Sequence, residues 1–254
     1  MIDSPPPRSP FAAPVAASPR VLRSVSADEL ALLLRRHGAY LASDRKDGTR
    51  GDLSGADLAG RDFAGMHLRR IRFDHADLTA ARLTGADLER ANLIGAVLKD
   101  ADLAGAVLRR GRLSGANLAG ARLDGADLRE ADLEFAFMPG VRLGGARLAG
   151  ADLSGVNLDD ADLSAVDLRT VNLRGAGLWR AKLAGADLRG ARLGGAFLTA
   201  ADLRGADLRS AYLRVATLDD ANLSAADLRE AQGLTRDQID AARTNAATRL
   251  PDLE

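Results

Sequence analysis

The residues able to do chemistry are few in kind. Cysteine is absent, which excludes a thiol nucleophile, a thiolate metal site and a disulfide framework. The three histidines, His37, His67 and His75, lack the spacing that sets two imidazoles on one metal from a helix. Carboxylates are plentiful, 35 against 35 Lys and Arg, but an Asp standing before Leu is part of a repeating pattern. No two acids are thereby set apart in contrasting surroundings as a general acid and base would be. Glycines in Gly111-Arg112-Leu113-Ser114-Gly115 and between Gly140 and Gly145 follow no strand and open no helix, so they do not read as a phosphate cradle. The reading is of a non-enzymatic chain with no cofactor and no metal. Zero formal charge and the lack of an uncompensated basic stripe argue against direct nucleic-acid binding.

What must position these residues is a repeat of five. From Gly51 to Glu230 the chain runs as 36 consecutive pentads without insertion, centred on Leu in 33 and on Phe63, Phe73 and Met138 in the others. Ala stands two residues before the centre in 27 pentads and Asp or Asn between them in 20, giving A(D/N)Lxx. On an α-helix steps of five rotate the leucines by about 140°, leaving no apolar stripe. In a straight strand an odd step throws successive leucines onto opposite faces. The chain must therefore turn within every pentad, Ala and Leu pointing inward, the other residues facing water. A narrow aliphatic interior explains an aromatic content of only 4%.

The runs ADLSGADL, ANLIGAVL and ADLRGADL resemble the pentapeptide-repeat family over residues 51–230. That resemblance implies an all-β solenoid, a right-handed quadrilateral β-helix with four pentads per coil. Thirty-six pentads then make about nine coils. At about 4.8 Å per layer the rod is roughly 40 Å long. Its largest departure is Glu134 to Gly140, where Phe137 replaces Asp/Asn, Met138 replaces Leu, and Pro139 either bends the rod or fills an outward turn.

Both ends carry helix signals. Residues 1–20 hold six of the eight prolines and read as a disordered arm; no basic leader precedes an apolar run, which suggests a cytoplasmic protein. Within a cap and linker over 21–50, Ser26-Ala27-Asp28-Glu29 forms a capping box with Val25 and Leu30 as its staple. It opens a helix to about Leu41 with Leu30, Leu33, Leu34, His37 and Leu41 on one face. In the last segment, 231–254, Thr235-Arg236-Asp237-Gln238 is a second box, stapled by Leu234 and Ile239. The N-terminal helix reads as a lid over raw sheet edge. The C-terminal one is either a lid on a monomer or, as in some family members, an end-to-end dimer contact.

Function in such a rod falls to its outer faces. With twenty residues per coil, Val97, Phe137 and Phe197 share a column with Trp179 beside them, an exposed patch suited to an unidentified protein partner unless its members are merely isolated surface residues. A second column carries Asp167, Asp187, Asp207 and Asp227, each followed two residues on by Arg169, Arg189, Arg209 or Arg229, a self-neutralising charge ladder. The expected role is a rigid scaffold or interaction module away from membranes. The alternative, implied by family members that protect DNA gyrase from quinolones, is a mimic of duplex DNA that binds a type II topoisomerase. Against it, residues 51–230 hold 26 acidic and 24 basic side chains. A net of −2 over the whole rod falls far short of one charge per roughly 1.7 Å of duplex axis.

Overall fold

In the computed structural model, residues 22–44 and 46–252 are described. The proline-rich arm expected over 1–20 lies outside them. Every pentad builds the same corner. The carbonyl of each central residue accepts the N–H three residues on, as Leu53 does from Ala56 at 3.2 Å. The fifth residue of all 36 pentads has positive φ, at glycine in half of them and at other residues, such as Arg70, Ala80 and Val215, in the rest. A four-residue turn with left-handed backbone at its third position has the type II form, and glycine is favoured there because it has no Cβ to clash.

Four such corners close a turn. Parallel bridges join residues twenty apart without a slip, from Asp52↔Arg72 to Tyr212↔Gln232. Hydrogen bonds such as Leu53 N–H to the Arg72 carbonyl (2.8 Å) and Arg72 N–H to the Gly51 carbonyl (3.0 Å) tie each layer to the next. The four sides are numbered here by their first central residues, Leu53, Leu58, Phe63 and Leu68. All 36 central side chains are at most 2% exposed and pack into one continuous core. Met138 takes a leucine's place in it, fully buried. Pro139 sits at the second position of its turn, where its fixed φ suits a type II corner, and bridges run unbroken past it from Asn117 to Phe137 to Asn157.

The repeat's Asp or Asn has a task the periodicity did not reveal. In every pentad that carries one, except that of Asn92, its side-chain oxygen accepts the N–H two residues on and holds the corner, as Asp52 does for Ser54 at 3.0 Å.

Helix α1 spans Ala27–Ala42, with Ser26 accepting from the Glu29 N–H. The reciprocal half of the expected box is not made, because the Glu29 carboxylate pairs instead with Arg23 at 3.0 Å. Arg23 itself bridges Ala56, so the segment before α1 joins the first coil. Val25 and Leu30 are buried in the core, with Leu33 and Leu34 packed against it. At the other end the helix is only five residues, α2 (Arg236–Asp240), and its capping box is complete. The chain beyond it returns to the rod: Arg243 bridges Asn222 and Arg249 bridges Asp227. Sheet-edge hydrogen bonding, rather than helix propensity, thus shapes this segment.

Candidate interaction surfaces

The second side carries Phe137, Trp179 and Phe197. Bridges Val97↔Asn117, Asn117↔Phe137, Phe137↔Asn157, Asn157↔Gly177 and Gly177↔Phe197 place Val97, Phe137 and Phe197 in one row. Val97 stands two layers before Phe137, about 10 Å along the axis. None of the three, nor Trp179, is fully exposed; each is half-buried. The cause is the layer spacing, which lets side chains in one row shield their neighbours. Trp179 stands beside Gly177, the one residue of its row without a side chain. Beneath it Asn157 and Asp159 are buried, and Asp159 accepts from the Asn157 amide at 3.2 Å and from the Trp179 backbone N–H at 3.0 Å. The Arg180 guanidinium lies 4.8 Å from the indole centroid and pairs with Asp160 at 3.0 Å. The indole Nε1–H is buried and has no acceptor among the described residues.

The fourth side carries the expected Asp/Arg ladder. Within a pentad each arginine grips the preceding aspartate with a fork, Arg169–Asp167, Arg189–Asp187 and Arg229–Asp227 at 2.7 Å and Arg209–Asp207 at 2.6 Å. Each of the first three also reaches the next layer, Arg169 to Asp187 and Arg189 to Asp207 at 3.6 Å, and Arg209 to Asp227 at 4.0 Å. The arginine bonds hold the carboxyls of Asp167, Asp187 and Asp207 below their usual range. Asp227, bonded by Arg229 and also 3.6 Å from Arg249, is held down to about 2.

His37 lies buried where α1 meets the rod, its Nδ1 accepting the Gly51 N–H at 3.0 Å and its ring stacked near Tyr40. Burial, reinforced by the charge of Arg50 and opposed by the Arg69 carbonyl, lowers its pKa. His67 and His75 stand at outward positions. Among the described residues no three acidic or imidazole groups gather as a metal would require, and no helix is long and apolar enough to cross a membrane.

The model of the family of pentapeptide repeats matches the chain in eight copies, over residues 52–90, 71–110, 112–145, 138–175, 181–217 and 196–232. The chain belongs to the pentapeptide-repeat family. Pentapeptide-repeat proteins fold as right-handed quadrilateral β-helices, the hand and cross-section of this rod. Similar solved structures include HetL of the cyanobacterium Nostoc sp. strain PCC 7120, a pentapeptide repeat protein involved in heterocyst differentiation regulation. It is 37% identical over 77% of this chain and 81% of its own, with a TM-score of 0.38. Rfr23 of the cyanobacterium Cyanothece 51142 is 26% identical over 50% of this chain and 97% of its own, at 0.41. QnrB1, a plasmid-mediated fluoroquinolone resistance protein, is 17% identical over 75% of this chain and 92% of its own, at 0.42. No curated protein matches the chain.

One further group of this pentapeptide-repeat chain lies outside the aromatic and acidic columns. Arg174, Arg192, Tyr212 and Arg214 cluster on the first side around Gly194. Their signal in the sequence is the charge summed over each side and not an aromatic or acidic column.

Proposed function

We propose that this pentapeptide-repeat protein is a non-enzymatic rod of about nine coils, closed by α1 at one end and by the α2 tail at the other, that holds a partner protein against its second side. The contact would centre on Phe137, Trp179 and Phe197, with Val97 at its margin. What supports this reading above all is Trp179, a large ring kept at the surface over a buried Asn157–Asp159 pair, with its N–H left unsatisfied. Aromatic side chains of this kind anchor protein interfaces. A photo-crosslinking residue placed at Phe197 and, separately, at Asp202 on the third side tests it in the native host. A discrete adduct from position 197 and none from 202 is expected; equal labelling, or none at 197, overturns the reading.

The C-terminal end reads as a lid. Gln238 donates to the carbonyls of Leu213 and Ala216, Arg243 and Arg249 accept from Leu223 and Leu228, and Thr248 donates to the Leu223 carbonyl. These contacts leave little free edge for a second copy, so light scattering is expected to report one chain of 26.6 kDa. Topoisomerase mimicry finds no support in the charges, since the acidic columns are tied down by forks and corner bonds. A supercoiling assay at micromolar protein is expected to show neither gyrase inhibition nor protection from a quinolone.

A further inference from the structure

We infer that the C-terminal part of the first side is a docking notch for an acidic segment of another protein. Along the rod most guanidinium groups find the rod's own carboxylates, as Arg72 does with Asp52 at 2.8 Å, Arg122 with Asp102 at 3.0 Å and Arg204 with Asp202 at 2.7 Å, and those that do not, such as Arg90 and Arg112, stand singly. In the last coils of the first side three unpaired guanidinium groups stand together. Arg174, Arg192 and Arg214 line one concavity with Gly194, Tyr212 and Val215. Among the described residues none of the three guanidinium groups has an ion pair or hydrogen bond. From Asn172 to Leu234 neither outward row of this side carries a carboxylate. Three charges thus face solvent within about 10 Å of axis, on a chain whose formal charge is zero.

The floor of this notch is bare: a Cβ on Gly194 would meet nothing nearer than the Arg214 carbonyl oxygen at 3.8 Å. Each guanidinium offers the planar fork that the rod elsewhere fills with carboxylate, so the missing rung has a carboxylate's shape. Two further observations select a protein segment. Val215 is 74% exposed at φ 53°, a left-handed conformation that a β-branched side chain adopts only under strain, so an apolar group is held out at the lip. The concavity also continues past Arg214 and Val215 to Leu234. A chain bearing carboxylates with an apolar residue close by satisfies both the forks and this lip, and Tyr212, 47% exposed, presents its ring to it. This side is not the one that carries Phe197, and the inference stands whether or not that residue meets a partner.

Fluorescence anisotropy with the purified full chain and a fluorescein-labelled peptide of alternating glutamate and leucine tests it. Saturable binding is expected, weakened about tenfold or more by Arg192→Ala or Arg214→Ala. Gly194→Leu, which fills the floor at a residue of ordinary φ, is expected to abolish it. Arg204→Ala, which removes the same charge from the third side, is expected to leave binding unchanged. Because the guanidinium groups of the three arginines make no bond among the described residues, their alanine variants should melt with the wild type, which separates lost binding from lost fold. Equal weakening by Arg204→Ala, absence of saturation at millimolar peptide, or full displacement by inorganic phosphate overturns the proposal. So does tighter binding of a single-stranded oligonucleotide with the same arginine dependence, which would assign the notch to nucleic acid.

Discussion

Ala80, Ala165 and Ala225 are exposed residues at fifth positions of their pentads, with φ of 54°, 56° and 59°. Left-handed backbone costs an alanine about 1–2 kcal/mol, while glycine loses about 0.5–1 kcal/mol more than alanine in chain entropy on folding. The difference favours glycine by about 0.5–1 kcal/mol at each corner, since these exposed methyls contribute little packing. The three sites lie on separate coils or separate corners, so their effects should add. Together Ala80→Gly, Ala165→Gly and Ala225→Gly are expected to raise stability by about 1.5–3 kcal/mol, or roughly 3–12 °C in melting temperature. Circular dichroism during thermal and urea unfolding measures it. The comparison is Ala106→Gly, the same atoms removed from a fully buried inward position of extended backbone, which is expected to destabilise by about 1–2 kcal/mol. If the triple variant melts no higher than the wild type, or if corner and inward swaps move stability in the same direction, the account of the corner is refuted.

Corner side chains also lean on the next coil. A Cβ on Gly155, at φ 62°, would come within 2.5 Å of the Phe135 ring, whereas one on Gly205, at φ 64°, meets nothing within 4 Å. Gly155→Ala should therefore cost more than Gly205→Ala, itself about 1 kcal/mol, and Phe135→Ala should remove the excess in a double-variant unfolding cycle. His37 is kept neutral in the folded state by burial, so its contribution is present above the ordinary histidine pKa and is lost as pH falls through about 6.5 toward its lowered folded value. The melting temperature is expected to drop between pH 7.5 and 5.5, with His37→Gln flattening that slope. Asp227 behaves likewise at lower pH: held to about 2, it supports the fold above the usual carboxylate range and ceases to as pH falls through its folded value, so Asp227→Asn should shallow the acid limb of a urea-midpoint profile.

The five-residue spacing makes the inward leucines readable from sequence, because one apolar period admits few backbones, whereas the four-sided register is implied only by the resemblance to pentapeptide repeats and is shown by the bridges twenty residues apart. Pro139 was ambiguous in sequence for a physical reason: bending and turn-filling call for the same residue, and only the unbroken bridges around it decide. The corner bonds of Asp and Asn were hidden because an outward polar residue looks alike whether it faces water or its own backbone. Glu29 went to Arg23 and not to its own cap because Arg23 is brought there by pairing with the first coil, a contact no local motif encodes. Phe137 and Phe197 were correctly placed in one row by counting twenties, but their half-burial depends on the neighbours above and below. The cluster of Arg174, Arg192 and Arg214 is not legible as a motif, because its signal is the lack of acids over a stretch.

The strict register of twenty gives the rod a discrete angular scale. Excising a single pentad between Phe137 and Arg174 would leave every remaining leucine indoors yet rotate all downstream surfaces by a quarter of a revolution, carrying the arginines round to face another quarter of the compass. Short duplications and losses could thus re-aim one docking surface against another while the interior stays the same, so that orientation evolves by counting rather than by redesign.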